Sequence, residues 1–161
     1  MGFNKLKKYL LLGSVIIFSL AFEAVCAEAV KLYIPPIKAK IGQSFEAPVM
    51  IDAVENLAGI KLVIAYDDKI LKYESAAKTE PTSSLMHVVN DKKSGELIIV
   101  MAGAQGIQGK EFPVLNLRFK TEPNLSPDAT TSIRITEVQL MSDKLVELKA
   151  EVVQNPIVFE P

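Results

Sequence analysis

From Leu57 to Tyr66 the chain alternates strictly: Ile60, Leu62, Ile64 and Tyr66 fall on one side, and Gly59, Lys61, Val63 and Ala65 on the other. Side chains of a strand point to opposite faces in turn, so the large set is expected inside and the small, mixed set outside. Asp67 and Asp68 end the run, since short carboxylates bond to nearby backbone N–H groups and favour turns. Ile70 and Leu71 follow as an apolar pair able to fold back over the same core. The period-two signal recurs along the chain. Residues 30–34 alternate and stop at Pro35-Pro36, which cannot donate to a ladder. Phe45, Ala47, Val49, Ile51 and Ala53 form one face of a strand, and Pro48 on its other side predicts an edge or a bulge.

Residues 86–90 read as a short strand and Lys92-Lys93-Ser94-Gly95 as a turn. Residues 96–102 (ELIIVMA) are apolar on both parities. Residues 112–121 set Pro113, Leu115, Leu117 and Phe119 inward, with Asn116, Arg118 and Lys120 outward. In residues 132–141 the phase slips near Thr136-Glu137, which suggests a bulge, and a last strand covers 157–159. No segment holds a helical apolar period. About nine short strands separated by turns predict an all-β, jelly-roll-like sandwich.

The N-terminus breaks this pattern. Lys5, Lys7 and Lys8 precede the uncharged run YLLLGSVIIFSLAF (9–22), and small residues follow around Val25-Cys26-Ala27. A basic start, an apolar middle and a small-residue exit are the parts of a secretory signal peptide. A bilayer-spanning helix needs about 20 apolar residues, so the run is short for a permanent anchor. Glu23 and Val25 fit a lipoprotein site at Cys26 poorly, and cleavage after Ala27 is expected. The expected organisation is a signal peptide over 1–27 and a β-sandwich over 28–161, exported to the periplasm or the exterior, with no stable membrane span after cleavage. Removal of Lys5, Lys7, Lys8 and Glu23 from the 18 basic and 19 acidic residues leaves 15 and 18, a net charge of −3. No cysteine would remain, hence no disulfide, thiolate nucleophile or thiolate metal site. A weakly acidic chain without a basic cluster excludes nucleic acid as the expected partner.

Gly42, the Pro48-Val49 pair, NLAGIKLVIAYD (56–67), Ile70-Leu71, SGELIIVMAG (94–103) and FPVLNLRFK (112–120) together resemble a cohesin domain. The similarity spans residues 30 to about 159. Asp68 departs from it, because cohesins usually carry proline after the Tyr-Asp pair, and one module stands where scaffolding proteins string several. The resemblance implies a nine-stranded jelly-roll sandwich, related in fold to carbohydrate-binding modules. Its flat face, built from the outward residues of the third, fifth, sixth and eighth strands, would dock a dockerin module whose own loops hold calcium. Carried over by position, the third strand offers Gly59, Lys61, Val63 and Ala65. The matching register turns Ile99, Met101 and Gly103 outward and Ile98, Val100 and Ala102 to the core, although composition leaves both parities open. Lys61 and Asn90 would rim the apolar patch.

Chemistry is sparse. Asp67-Asp68 could suggest calcium ligands, but neighbouring strand residues point apart and the turn accounts for both. His87 is the only histidine and has no cysteine or serine–acid partner in view. GAQGIQGKE (103–111) lacks the first glycine and the hydroxyl residue of a phosphate loop, and reads as a mobile glycine-rich connection between strands. No catalytic, metal or cofactor site is expected, and the chain reads as a binding module for a protein. The alternatives are a carbohydrate-binding module on the same sandwich, or a structural subunit of an envelope assembly. The first of these would need exposed aromatics. Only Tyr33, Tyr73 and Phe112 remain free for that once Tyr66 and Phe119 are assigned to the core.

Overall fold

The computed structural model describes residues 28–160, Pro127 excepted. The expected leader, with Cys26 and the bond after Ala27, lies outside the described residues. Among these the secondary structure is entirely β: β1 (Val30–Tyr33), β2 (Ile37–Lys40), β3 (Ser44–Ala65), β4 (Leu71–Lys78), β5 (Met86–Asn90), β6 (Glu96–Thr121), β7 (Thr130–Thr131), β8 (Arg134–Ser142), β9 (Glu147–Leu148), β10 (Ala150–Val153) and β11 (Ile157–Glu160). No helix among the described residues is long and apolar enough to cross a membrane.

Two strands are longer than the sequence suggests. Residues 45–53 and 57–65 join as β3, and residues 96–102 and 112–121 join through the glycine-rich stretch as β6. The stretch expected to be a loose connection is a corner in the ladder. Val54 pairs with Gly109 and Leu57 with Ile107, with register shifts on either side of Leu57. Bulges of this kind bend a strand pair without breaking it. Asn56 takes up a left-handed backbone, φ 56°. Gly106 lies so close that a Cβ there would sit 2.5 Å from the Asn56 Cα, so the corner admits no side chain.

The long strands therefore run through both layers. In the front layer, residues 57–65 of β3 pair with β8 on one side and with residues 96–107 of β6 on the other, and β5 lies beyond β6. In the back layer, residues 44–54 of β3 pair with β1 and with residues 109–120 of β6, and β10 and β4 flank them. A small sheet, β2-β11-β7, completes the sandwich. Between the layers Leu32, Val49, Ile51, Leu62, Ile64, Leu97, Ile99, Leu115, Leu117 and Phe119 are fully buried. Phe45, Tyr66 and Tyr73 surround Phe119, with ring centroids 6.2, 5.1 and 5.8 Å away.

Local irregularities follow from identifiable residues. Pro48 is followed at once by a bulge between Val49 and Met50. Val114 is the extra residue opposite it, so Val114 and Leu115 are both buried and Pro113, expected inward, is only half-buried. The phase slip in β8 is a bulge opposite Val63 and Ile64, where the Thr136 hydroxyl donates to the Val63 carbonyl at 3.1 Å. After β3, the Asp67 carbonyl accepts from the N–H groups of Ile70 and Leu71, at 3.1 and 2.8 Å, and its carboxylate accepts from Lys69 N–H at 3.0 Å. This turn drops Leu71 into the core with no exposed surface.

Candidate functional site

The outward side of the front layer forms a series of rungs, each fixed by strand pairing. Across β8, β3, β6 and β5 the first rung is Met141, Gly59, Ala102 and Met86. The second is Gln139, Lys61, Val100 and Val88, and the third is Glu137, Val63, Ile98 and Asn90. A last, shorter rung joins Arg134, Ala65 and Glu96. Directly paired residues share a face, so these side chains form one surface. Its polar members are Gln139, Glu137 and Arg134 on β8 with Lys61 on β3, Asn90 on β5 and Glu96 on β6, and most of its apolar members lie on β6 and β5. Met86 is 76% exposed, Val88 65% and Val100 44%. Gly59, Lys61, Gln139, Val100, Ala102 and Met141 line a shallow depression of about 260 Å³. The ammonium of Lys61 is paired with the Glu137 carboxylate beside it.

Gly59, Lys61, Val63 and Ala65 lie on this outward face, as does Asn90. The parity assumed for the sixth strand is corrected. Ile99 and Met101 are buried, at 0% and 1% exposure, because they pair with Leu62 and Ile60, whose side chains fill the core. Gly103 also faces inward: a Cβ there would come within 2.6 Å of the Leu85 side chain. Ile98, Val100 and Ala102, expected in the core, take the outward positions. Glu96 is a charged residue of the same parity as Ile98 and Val100, and it carried that signal in the sequence. Met86 and Val88 were missed as well, although they share the parity of Asn90 along a five-residue strand.

The remaining candidates have structural surroundings. Asp67 serves its turn, and the Asp68 carboxylate accepts from the Ser94 hydroxyl. Among the described residues no group of three or more acidic, histidine or cysteine side chains is placed to hold a metal. His87 lies on the inward side of β5 beside Met101, with Nε2 buried and unpartnered among the described residues. Phe112 is buried, and Tyr73 packs edge-on against Phe119. The Tyr33 hydroxyl donates to Glu111 at 2.7 Å, on the back layer. That hydrogen bond, before burial and the carboxylate charge, raises the Tyr33 phenol above its ordinary value of 10.0. The Tyr73 phenol is raised chiefly by burial, then by Asp91. None of the front-face residues is aromatic.

A sequence model of the cohesin domain matches residues 30–158. The chain belongs to the cohesin family. No curated protein matches it in sequence. Solved structures with the same fold include a non-cellulosomal cohesin from the hyperthermophilic archaeon Archaeoglobus fulgidus, with a TM-score of 0.73 and 13% identity, covering 83% of this chain and 93% of that one. The sixth cohesin of scaffoldin B from Acetivibrio cellulolyticus, solved with a mutant Cel5 dockerin, gives 0.72 at 17% identity, over 83% of this chain and 100% of that one. A type I cohesin–dockerin complex from Clostridium thermocellum, Coh-OlpA with Doc918, gives 0.72 at 16% identity with the same coverages. At such identities the likeness of this cohesin to those three is a likeness of fold.

Proposed function

We propose that this cohesin is a non-catalytic, exported docking module that binds a dockerin-type protein through the front face of β8, β3, β6 and β5. The observation that carries the reading is the line of apolar side chains, Val63, Ile98, Val100, Val88 and Met86, turned outward on a layer whose other side already supplies the core. A sheet face bound for water is normally polar, and a contiguous apolar patch with a charged border is the composition of an interface centre. Glu137, Gln139 and Arg134 on β8, with Lys61 beside them on β3, make that border. Gly59, Ala65 and Ala102 keep the surface low enough for a second domain to approach. The dockerin complexes formed by related cohesins support the class of partner, and the apolar run at residues 9–22 supports export. A glycan platform has less support, because the face holds no ring on which a sugar could stack.

The test is capture of a panel of purified, calcium-loaded dockerin domains by the immobilised protein, beside retention on insoluble polysaccharides. Binding of at least one dockerin that Val100→Asp lowers by about thirtyfold, equivalent to roughly 2 kcal/mol at a central contact, supports the reading. Retention on polysaccharide with no dockerin bound would replace it with the carbohydrate alternative. Dockerin binding that Val100→Asp leaves unchanged would move the site off this face.

A further inference from the structure

The edges of the sheets differ in how they are protected. Natural edge strands are blunted by charge, proline, bulges or brevity, because an open row of N–H and C=O groups is a template for another strand. β4 carries Lys72 and Lys78 and a register slip between Tyr73 and Ser75. β2 carries Lys38 and Lys40, β10 carries Glu151, and β7 and β9 are two residues long. β5 has none of these devices. Its sequence is MHVVN, its register against β6 runs unbroken from Met86–Ala102 to Asn90–Ile98, and among the described residues it pairs with β6 alone. The nearest lysine contacts fall outside it: Lys78 reaches the carbonyls of Ser83 and Leu85, just before the strand starts.

We propose that β5 is the seam of a homodimer, in which two copies pair antiparallel, edge to edge, about Val88. The strand is its own complement in that register. Val88 meets Val88 of the second copy, Met86 meets Asn90, and His87 meets Val89. Residues opposite each other in an antiparallel pair share a face, so Met86, Val88 and Asn90 of both copies stay on the outward side. The exposed parts of Met86 and Val88, 76% and 65%, gain apolar neighbours. No like charges face each other. The strand itself is uncharged, and the flanking Asp91, Lys92 and Lys93 fall opposite Leu85, Ser84 and Ser83. The contact is isologous and closes at two copies, so it extends the front layer once and cannot propagate into a fibre. The two docking faces then lie side by side in one sheet. This inference rests on the edge of β5 and stands whether or not the face binds a dockerin.

The whole chain is expressed through the export machinery of a bacterial host, in a Cys26→Ser background, and studied by sedimentation over a wide concentration range. A reversible monomer–dimer equilibrium is expected. Val88→Lys, which sets two ammonium groups opposite each other, should weaken it roughly tenfold or more. Val88→Cys should form a disulfide-linked dimer under mild oxidation, much faster than Val146→Cys, a control exposed by 58% on the β8–β9 hairpin. Purely monomeric sedimentation overturns the proposal, as does cross-linking of Val88→Cys no faster than the control. A dimer abolished by Val100→Lys and indifferent to Val88→Lys also overturns it, because the contact would then be face to face.

Discussion

The front and back layers share β3 and β6, yet their outward sides are opposites. On the back, Arg118 of β6 binds Glu74 of β4 at 3.1 Å and approaches Glu46 of β3 at 3.9 Å, and the Ser44 hydroxyl donates to Glu74 at 2.9 Å. Lys72 and Glu122 add a further pair at 3.5 Å. The front has the Lys61–Glu137 pair, Gln139 and Arg134 at one side, Glu96 and Asn90 at one end, and aliphatic side chains between them on β3, β6 and β5. Strand pairing and pleat are the same in both, so backbone geometry does not require this difference. The core does not require it either, since each layer already turns its large residues inward. What differs is the dressing: the back is polar, as a face bound for water is, and the apolar front is the one that the proposed docking reading assigns to a partner.

The largest effects should come from the inner side of the front layer, where the comparison rests on parity. Leu62→Ala and Met101→Ala each empty a fully packed site and should cost about 2–5 kcal/mol of unfolding free energy by chemical denaturation. Val63 and Val100, their outward neighbours in sequence, should cost under about 1 kcal/mol when changed to alanine. Equal costs on the two parities would erase the distinction between a core side and a docking side.

Next in size is binding. Val63→Asp and Val88→Asp should each weaken capture of a bound dockerin by about 2 kcal/mol or more, while Arg118→Glu on the back should leave it unchanged. Circular dichroism and melting checks separate a lost contact from a lost fold. If Arg118→Glu weakened capture as much as Val63→Asp, the polar back would be the interface and the reading of the two faces would be reversed.

Much of this was legible in the chain because β-structure writes its period directly. Ile60, Leu62 and Ile64 announce one face, and Asp67 announces the turn. The bulges after Pro48 and at Thr136 are readable too, since a missing donor and a broken phase have local causes. The sixth strand was less legible because ELIIVMA is apolar on both sides, and a period-two pattern carries no information when both parities match. Register decides such cases: once Leu62 is inside, its partner Ile99 must be inside too, and Ile98 and Val100 turn out. The continuity of β3 and β6 was hidden for a different reason. Glycines that signal a loop in isolation here permit a corner, where Gly106 passes against Asn56, and only the pairing partner distinguishes the two uses.

A smaller effect tests whether the polar dressing of the back holds the fold together. Arg118→Ala removes both exposed ion pairs of that side chain and should cost no more than about 1 kcal/mol, shrinking further in high salt. A loss the size of Leu62→Ala would mean that the network is structural rather than a solvated surface.

The smallest effect is alkaline. Tyr33 and Tyr73 both hold their phenolic protons more tightly in the folded protein, one through its bond to Glu111 and the other through burial. A raised folded value means that the folded state binds more protons than the unfolded chain as pH climbs past 10.0, the ordinary phenol value. Their contribution is therefore fully present below that pH and is lost as pH rises through the raised values. Tyr33→Phe should cost about 0.5 kcal/mol at neutral pH, the order of one exposed hydrogen bond. It should also make the fall in melting temperature above pH 10 shallower, leaving only the part due to Tyr73. Tyr33 belongs to the back layer and Tyr73 packs on Phe119 of the core. Stability curves measured from pH 8 to 11 for the wild type, Tyr33→Phe and Val100→Ala should thus separate by layer: Tyr33→Phe changes the alkaline slope, and Val100→Ala only shifts the curve. An altered slope in Val100→Ala would tie the front face to the tyrosines and undo the independence of the two surfaces.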